Sequence, residues 1–238
     1  MIYQAMEKSR AISINRPLVE MIPISEYGII FIKSVGGECQ VPHLPLNIDV
    51  RGMLVLVAGG GAVAVRKITS LLDSGATVYV VAPKITPEIG RLETAGTIKV
   101  KIERYHVSDL TDIFLAVAAT NEPQTNRRVA ADARQRGILV SVTDAPELGN
   151  CTFPALLRRG DLEISISTNG KCPGFAAEIR DMLAGEFGEE YGVILETLSV
   201  EREKLLTEGR PSTYNNQVLR SRARELINEL TEHKERVP

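Results

Sequence analysis

Three short stretches of this sequence combine residue types that do chemistry. Gly59-Gly60-Gly61-Ala62-Val63-Ala64 fits G-x-G-x-x-A. In that spacing the first glycine permits a sharp turn, the second lets main chain approach a pyrophosphate, and the small sixth residue keeps a following helix close to a sheet. Thr120 and Asn121 follow Ala118-Ala119 and offer hydrogen-bonding groups beside a thinly covered main chain. Asp144, in Ser141-Val142-Thr143-Asp144-Ala145-Pro146, offers a carboxylate able to take or give a proton. Each has a plainer explanation. The glycines also suit a tight turn without a ligand, Thr120 or Asn121 a helix cap, and Asp144 a turn before Ala-Pro.

The surrounding pattern puts all three at the ends of strands. Leu54–Ala58 is a continuous apolar run of strand length, the glycines are its turn, and Ala62–Asp73 carries helical periodicity through Val65, Ile68, Leu71 and Leu72. Gly75 suits a left-handed helix stop, and Thr77–Val81 is a β-branched second strand. Further strands are predicted at 97–103, 114–118 and 139–143, with a helix over 124–136 ended by Gly137. Apolar strands alternating with helices define a parallel sheet covered on both faces, an α/β Rossmann-like doubly wound domain. Thr120 and Asp144 then stand at carboxyl ends of strands, where such sheets bind ligands.

After Asp144 the character changes. Residues 162–167 alternate with period 2, as a strand with one wet face does, and Pro173 opens a helix to about residue 183. Two amphipathic helices are expected over 186–206 and 215–233. Residues 1–42 show no sustained period and at most a strand at 28–34. The resulting division is an N-terminal extension (1–42), a dinucleotide-binding domain (43–149), a small α+β dimerisation region (150–185) and C-terminal helices (186–238).

Composition narrows the function. Across 238 residues, 28 Lys and Arg against 30 Asp and Glu give a net charge of −2, so no global positive field collects nucleic acid. The longest apolar runs fall short of the ~20 residues that span a bilayer, and Glu7, Lys8 and Arg10 interrupt any secretion signal. A cytoplasmic protein is expected, with neither membrane nor nucleic acid as partner. Cys39, Cys151 and Cys172 form no C-x-x-C pair and read as reduced thiols, and the three scattered histidines make no metal site. The second strand ends Val81-Ala82-Pro83-Lys84 without the acidic residue that usually grips the ribose of NAD, leaving NAD against NADP open on residues alone.

One family shares these motifs in order. Leu44-Pro45-Leu46, Arg51-Gly52, Gly59 to Lys67, Ala118-Ala119-Thr120-Asn121, Asn126-Arg127, Thr143-Asp144-Ala145-Pro146 and the tract Ser165-Ile166-Ser167-Thr168-Asn169-Gly170-Lys171-Cys172-Pro173 resemble the precorrin-2 dehydrogenase family of sirohaem synthesis, over about residues 44–185. The resemblance implies NAD-dependent oxidation of precorrin-2 to sirohydrochlorin by a homodimer. It places cofactor contacts at Gly59, Gly60, Gly61, Ala62, Val63, Pro83 and Lys84 and the essential aspartate at Asp144, while Thr120 and Asn121 join the cofactor candidates through their own position at a strand's carboxyl end. It puts Ser167, Thr168, Asn169 and Lys171 at the border of the substrate cleft, with Cys172 where the family carries serine. Arg158, Arg159 and Arg180 join Lys171 as candidates for the substrate's carboxylates, because guanidinium groups bind carboxylates bidentately. Two other readings remain: a bifunctional enzyme that also inserts ferrous iron as a ferrochelatase, and a non-catalytic dinucleotide sensor.

Overall fold

The computed structural model describes residues 18–23, 30–35, 43–208 and 212–236. Its contacts separate two units, Met1–Pro45 and Leu46–Pro238. In the first, strands β1 (Leu18–Pro23) and β2 (Ile30–Val35) pair antiparallel, with Leu18 opposite Val35 and Pro23 opposite Ile30. The strand expected at 28–34 corresponds to β2; β1 was not expected.

The second unit is built on a five-stranded parallel sheet of β3 (Leu54–Ala58), β4 (Thr77–Val81), β5 (Lys99–Lys101), β6 (Leu115–Ala118) and β7 (Leu139–Val142), in the order β5-β4-β3-β6-β7. Alternate residues of the strands feed two separate cores. Val55, Val57, Val78, Val80, Leu115 and Val117 meet Ala64, Ile68 and Leu71 of helix α1 (Ala62–Asp73) and Ile89 of α2 (Pro87–Thr94). Leu56, Ala58, Ala116, Ala118, Val140 and Val142 meet Val129, Ala130 and Ala133 of α3 (Pro123–Gln135). Fully burying a valine or leucine is worth about 1.5–3 kcal/mol, so a one-residue slip of β3, which would exchange its two faces, is strongly disfavoured. Gly75 and Gly137, just past α1 and α3, adopt φ of 77° and 70° and end those helices as expected.

The chain runs from β3 towards β4 on one side and returns through β6 on the other. The crevice above the carboxyl ends of β3 and β6 is therefore the topological switch point, the place where such sheets take ligands. Beyond β7, Asn150 closes the sheet's open edge: its Oδ1 accepts from Val140 N at 2.7 Å and its Nδ2 donates to Ile138 O at 3.3 Å.

Strands β8 (Ala155–Arg159) and β9 (Leu162–Ile166) then form an antiparallel hairpin, followed by helices α4 (Pro173–Glu186), α5 (Glu190–Thr207) and α6 (Ser212–Arg236). Along β9, Leu162, Ile164 and Ile166 are half-buried and Glu163 and Ser165 exposed, the expected half-wet pattern. Helix α5 buries no residue, so the amphipathic helix expected near 186–206 is a helix without a sharp core face. Strand β5 is shorter than expected because only Lys99–Lys101 find partners on β4. Among the described residues no helix is long and apolar enough to cross a membrane.

Candidate active site

The three glycines after β3 differ in what the protein itself requires of them. Gly59 has φ 134°, and a Cβ there would collide with the carbonyl of Ala119 at the end of β6. At Gly60 a Cβ would collide with the carbonyl of Lys84, and Gly60 O accepts from Thr86 N at 2.9 Å. Both glycines are thus explained by the close approach of loops after β6 and β4. Gly61 is different: its φ of −95° suits any residue, and a Cβ there meets nothing within 4 Å.

Gly61 is also the N-cap of α1. It gives that helix no side-chain cap, and the first turn, which includes Ala62 and Val63, has no acidic residue. The first N–H groups and the positive dipole end of α1 are left to an anion from outside the chain. Open space at Gly61 over an uncapped helix start fits a dinucleotide pyrophosphate. Ala64 is fully buried against the sheet, as the sixth position requires. Pro83 and Lys84 lie exposed beyond β4, beside the same turn, with buried Ala82 and no carboxylate preceding them.

Asp144 follows β7 and is exposed on the same edge of the sheet. Thr143 ties this end to β6, its N and Oγ1 both donating to Ala118 O at 3.0 and 3.1 Å. Thr120 and Asn121 do not act as the helix cap, because the N-cap of α3 is Glu122. The Thr120 hydroxyl is spent inside the protein: it lies 2.7 Å from Asn126 Oδ1, to which it donates, and accepts from Glu122 N at 3.1 Å. Asn121 is exposed on the loop. Asn126, named above only within a motif, is a residue whose role the spacing alone did not disclose. Its signal is a short amide near the start of a helix that is 1% exposed.

The tract after β9 reaches this edge. Gly170 has φ 78°, and a Cβ there would lie 3.2 Å from Pro146 Cβ, two residues beyond Asp144. The tract is a tight, internally bonded turn: Ser167 Oγ accepts from Asn169 N at 3.1 Å, and Thr168 Oγ1 from Cys172 N at 3.2 Å. Lys171 is exposed within it. The arginines are committed elsewhere. Arg158 pairs with Glu163 at 2.6 Å and Arg180 with Asp181 at 2.7 Å. Arg159 donates to Phe187 O at 2.6 Å and Ala184 O at 3.2 Å, closing the carboxyl end of α4. Among the described residues no group of His, Cys, Asp and Glu could hold a metal.

Fold and edge together define a dinucleotide-binding α/β protein with an appended hairpin and helices. Residues 46–155 match the family model described as putative NAD(P)-binding, and residues 159–186 that of the sirohaem biosynthesis protein central region. Through these two matches the chain resembles the proteins of sirohaem synthesis. It is 36% identical over 163 residues to a siroheme synthase of Pseudomonas entomophila, covering 68% of this chain and 35% of that protein. With a siroheme synthase of Chromobacterium violaceum the identity is 39% over 148 residues, 62% of this chain and 32% of that one. The solved structure of SirC, a precorrin-2 dehydrogenase, superposes with a TM-score of 0.64 at 28% identity, over 79% of this chain and 99% of SirC. The chain spans about a third of the length of the curated relatives it matches.

Proposed function

We propose that this chain oxidises precorrin-2 to sirohydrochlorin with NAD. The observation that carries the reading is the convergence on one sheet edge of an uncapped helix start, an exposed aspartate and the 167–173 turn, which abuts Pro146. Bound NAD supplies a hydride acceptor there. The main chain at Gly59, Gly60 and Gly61 with Ala62 and Val63 receives its pyrophosphate, and Pro83 and Lys84 border the adenosine end. Thr120 and Asn121 flank the crevice on the β6 side. Asp144 takes the proton released as hydride leaves the substrate carbon. Ser167, Thr168, Asn169 and Lys171 face the polycarboxylate substrate, Lys171 as a cation and the turn as polar wall.

Arg158 and Arg180 are secondary in this reading. Each already has a carboxylate partner, so a substrate carboxylate gains there only by displacing Glu163 or Asp181. Residues 43–149 form the cofactor domain, and residues 150–185 pair two copies in a homodimer while bordering the cleft. The test mixes the protein with precorrin-2 and NAD and follows sirohydrochlorin absorbance. Its appearance supports the dehydrogenase, and its absence beside measurable NAD binding favours the sensor. Ferrous ion added afterwards reads out metal insertion as a second activity.

A further inference from the structure

The amide of Asn126 uses every hydrogen-bonding position it has. Its Oδ1 accepts from Thr120 N at 3.1 Å and from Thr120 Oγ1 at 2.7 Å. Its Nδ2 donates to Thr120 O at 3.1 Å and to Asp144 Oδ1 at 2.8 Å. The Thr120 main-chain N–H and carbonyl fix which end of the amide is which, since an exchanged amide would set donor against donor and acceptor against acceptor. One Asn126 N–H is therefore obliged to point at Asp144.

The residue is placed to be rigid. It is the fourth residue of α3, its N donates to Glu122 O at 3.1 Å, and its side chain is 1% exposed. It thereby bridges the carboxyl ends of β6 and β7, the two strands that carry Thr120 and Asp144. Only Oδ1 of Asp144 is held; Oδ2 has no hydrogen-bond partner among the described residues. An exposed carboxylate otherwise free to turn about its χ angles is tethered through one oxygen, and the other is left without a partner among the described residues.

We propose that Asn126 is a positioning residue for the dehydrogenase, orienting Asp144 so that its Oδ2 faces the substrate. The proposal rests on the reading of Asp144 as the base. A base displaced by about 1 Å can lose on the order of a hundredfold in rate, whereas a buried amide with only a structural role would act on folding and on every ligand alike.

Asn126→Asp tests this. The variant keeps an oxygen to accept both Thr120 bonds but has no N–H for Asp144 or for Thr120 O, and it sets a second carboxylate beside Asp144. Asn126→Ala is the companion, at the cost of unpaired groups on Thr120. Both are made in the wild-type chain and in Asp144→Asn, and kcat with precorrin-2, NAD affinity and melting temperature are measured. The expected result is a loss of about tenfold to a hundredfold in kcat in the wild-type chain, NAD affinity held within about twofold, and at most about twofold further loss in the Asp144→Asn chain, the signature of residues acting as one unit. Full kcat in Asn126→Asp while Asp144→Asn is impaired overturns the positioning role alone. Equal losses in both backgrounds, or NAD affinity falling in step with kcat, do the same. Full kcat in Asp144→Asn overturns the base and the positioning role together.

Discussion

The Nζ of Lys67 stands 4.2 Å above the centre of the Phe153 ring. This contact joins α1, the helix opened by the glycine turn, to the segment that leaves the sheet for β8. Two effects compete in it: burial pushes the Lys67 pKa down, with the charge of Arg66 adding to the shift, while the ring face attracts the cation. Packing of the alkyl stem on the ring carries no such desolvation cost, so the stem is expected to hold the contact. Lys67→Met keeps that stem and is expected to melt at or above the wild-type temperature. Lys67→Ala uncovers the ring and is expected to melt about 2–4 °C lower, the scale of about 1 kcal/mol in a chain of this size. Thermal melts of both variants decide; a Met variant less stable than the Ala variant gives the cation the leading part.

Cys151 packs half-buried against the same core, and burial pushes its thiol up to about 11, partly offset by the charge of Lys67. Cys172 is exposed at the start of α4. With one thiol retained at a time, the chain keeping Cys172 should react readily with a disulfide reagent at pH 8. The chain keeping only Cys151 should react slowly, its rate rising about tenfold per pH unit until pH approaches 11. The linkage has a definite sign. The folded value lies above the ordinary 9.0, so the thiol's contribution to stability is whole below pH 9 and is lost between pH 9 and 11. Equal reactivity of the two thiols at pH 8 rules this out.

The β3-α1-β4 unit was legible because its apolar periods are unbroken and its glycine turn is explicit. Strand β8 was not, since Ala155–Arg159 passes from apolar to basic residues without alternation. Helix α2 was missed because its eight residues include Gly90 and bury only Ile89. In the site, the glycines could be read from spacing, but their division of labour could not. It depends on carbonyls of Ala119 and Lys84 carried by other loops. Asn126 was illegible for the same reason, its carboxylate partner being 18 residues away along the chain. Arg159 looked like a carboxylate receptor, whereas its guanidinium is taken up by carbonyls at the end of α4.

That division of labour separates two variants that look alike in sequence. Gly61→Val places a side chain in open space at an ordinary φ, so it should fold with a melting temperature within a few degrees of wild type, since a poorer N-cap costs about 1 kcal/mol. Its dinucleotide affinity should be lost, because the side chain fills the place of the pyrophosphate. Gly60→Ala drives a Cβ into the Lys84 carbonyl and should lose stability first. Calorimetric titration with NAD and a melt on each variant make the comparison. Unchanged affinity in Gly61→Val removes the pyrophosphate from this turn.

Helices α4 and α5 leave apolar surface uncovered in the single chain. Phe175 is 58% and Met182 62% exposed on α4, seven residues and so two turns apart on one side. Val193 on α5 is 63% exposed. A self-complementary pairing through residues about 150–185 would bury such surface in a twofold dimer. Sedimentation at micromolar concentration should show twice 26.0 kDa, and Phe175→Glu with Met182→Lys should shift the population towards monomer. A single 26.0 kDa species for the wild-type chain dismisses the dimer.

The loop after β4 bears on the choice between the two nicotinamide dinucleotides. Where a carboxylate would grip the ribose hydroxyls, the chain has buried Ala82 and exposed Pro83 and Lys84. The selecting acid is missing, but so is an arginine within the loop to receive a 2′-phosphate bidentately. Lys84 offers only a mobile point charge. A single exposed ion pair contributes about 0–1 kcal/mol, too little to offset the cost of desolvating a phosphate dianion. NAD should therefore give the higher kcat/KM, and Lys84→Ala should lower the NADP value more than the NAD value. Initial rates with both cofactors at low and high salt measure this, since any Lys84–phosphate attraction weakens as salt screens it. A higher kcat/KM with NADP that falls steeply with salt would reverse the assignment and make Lys84 a phosphate ligand.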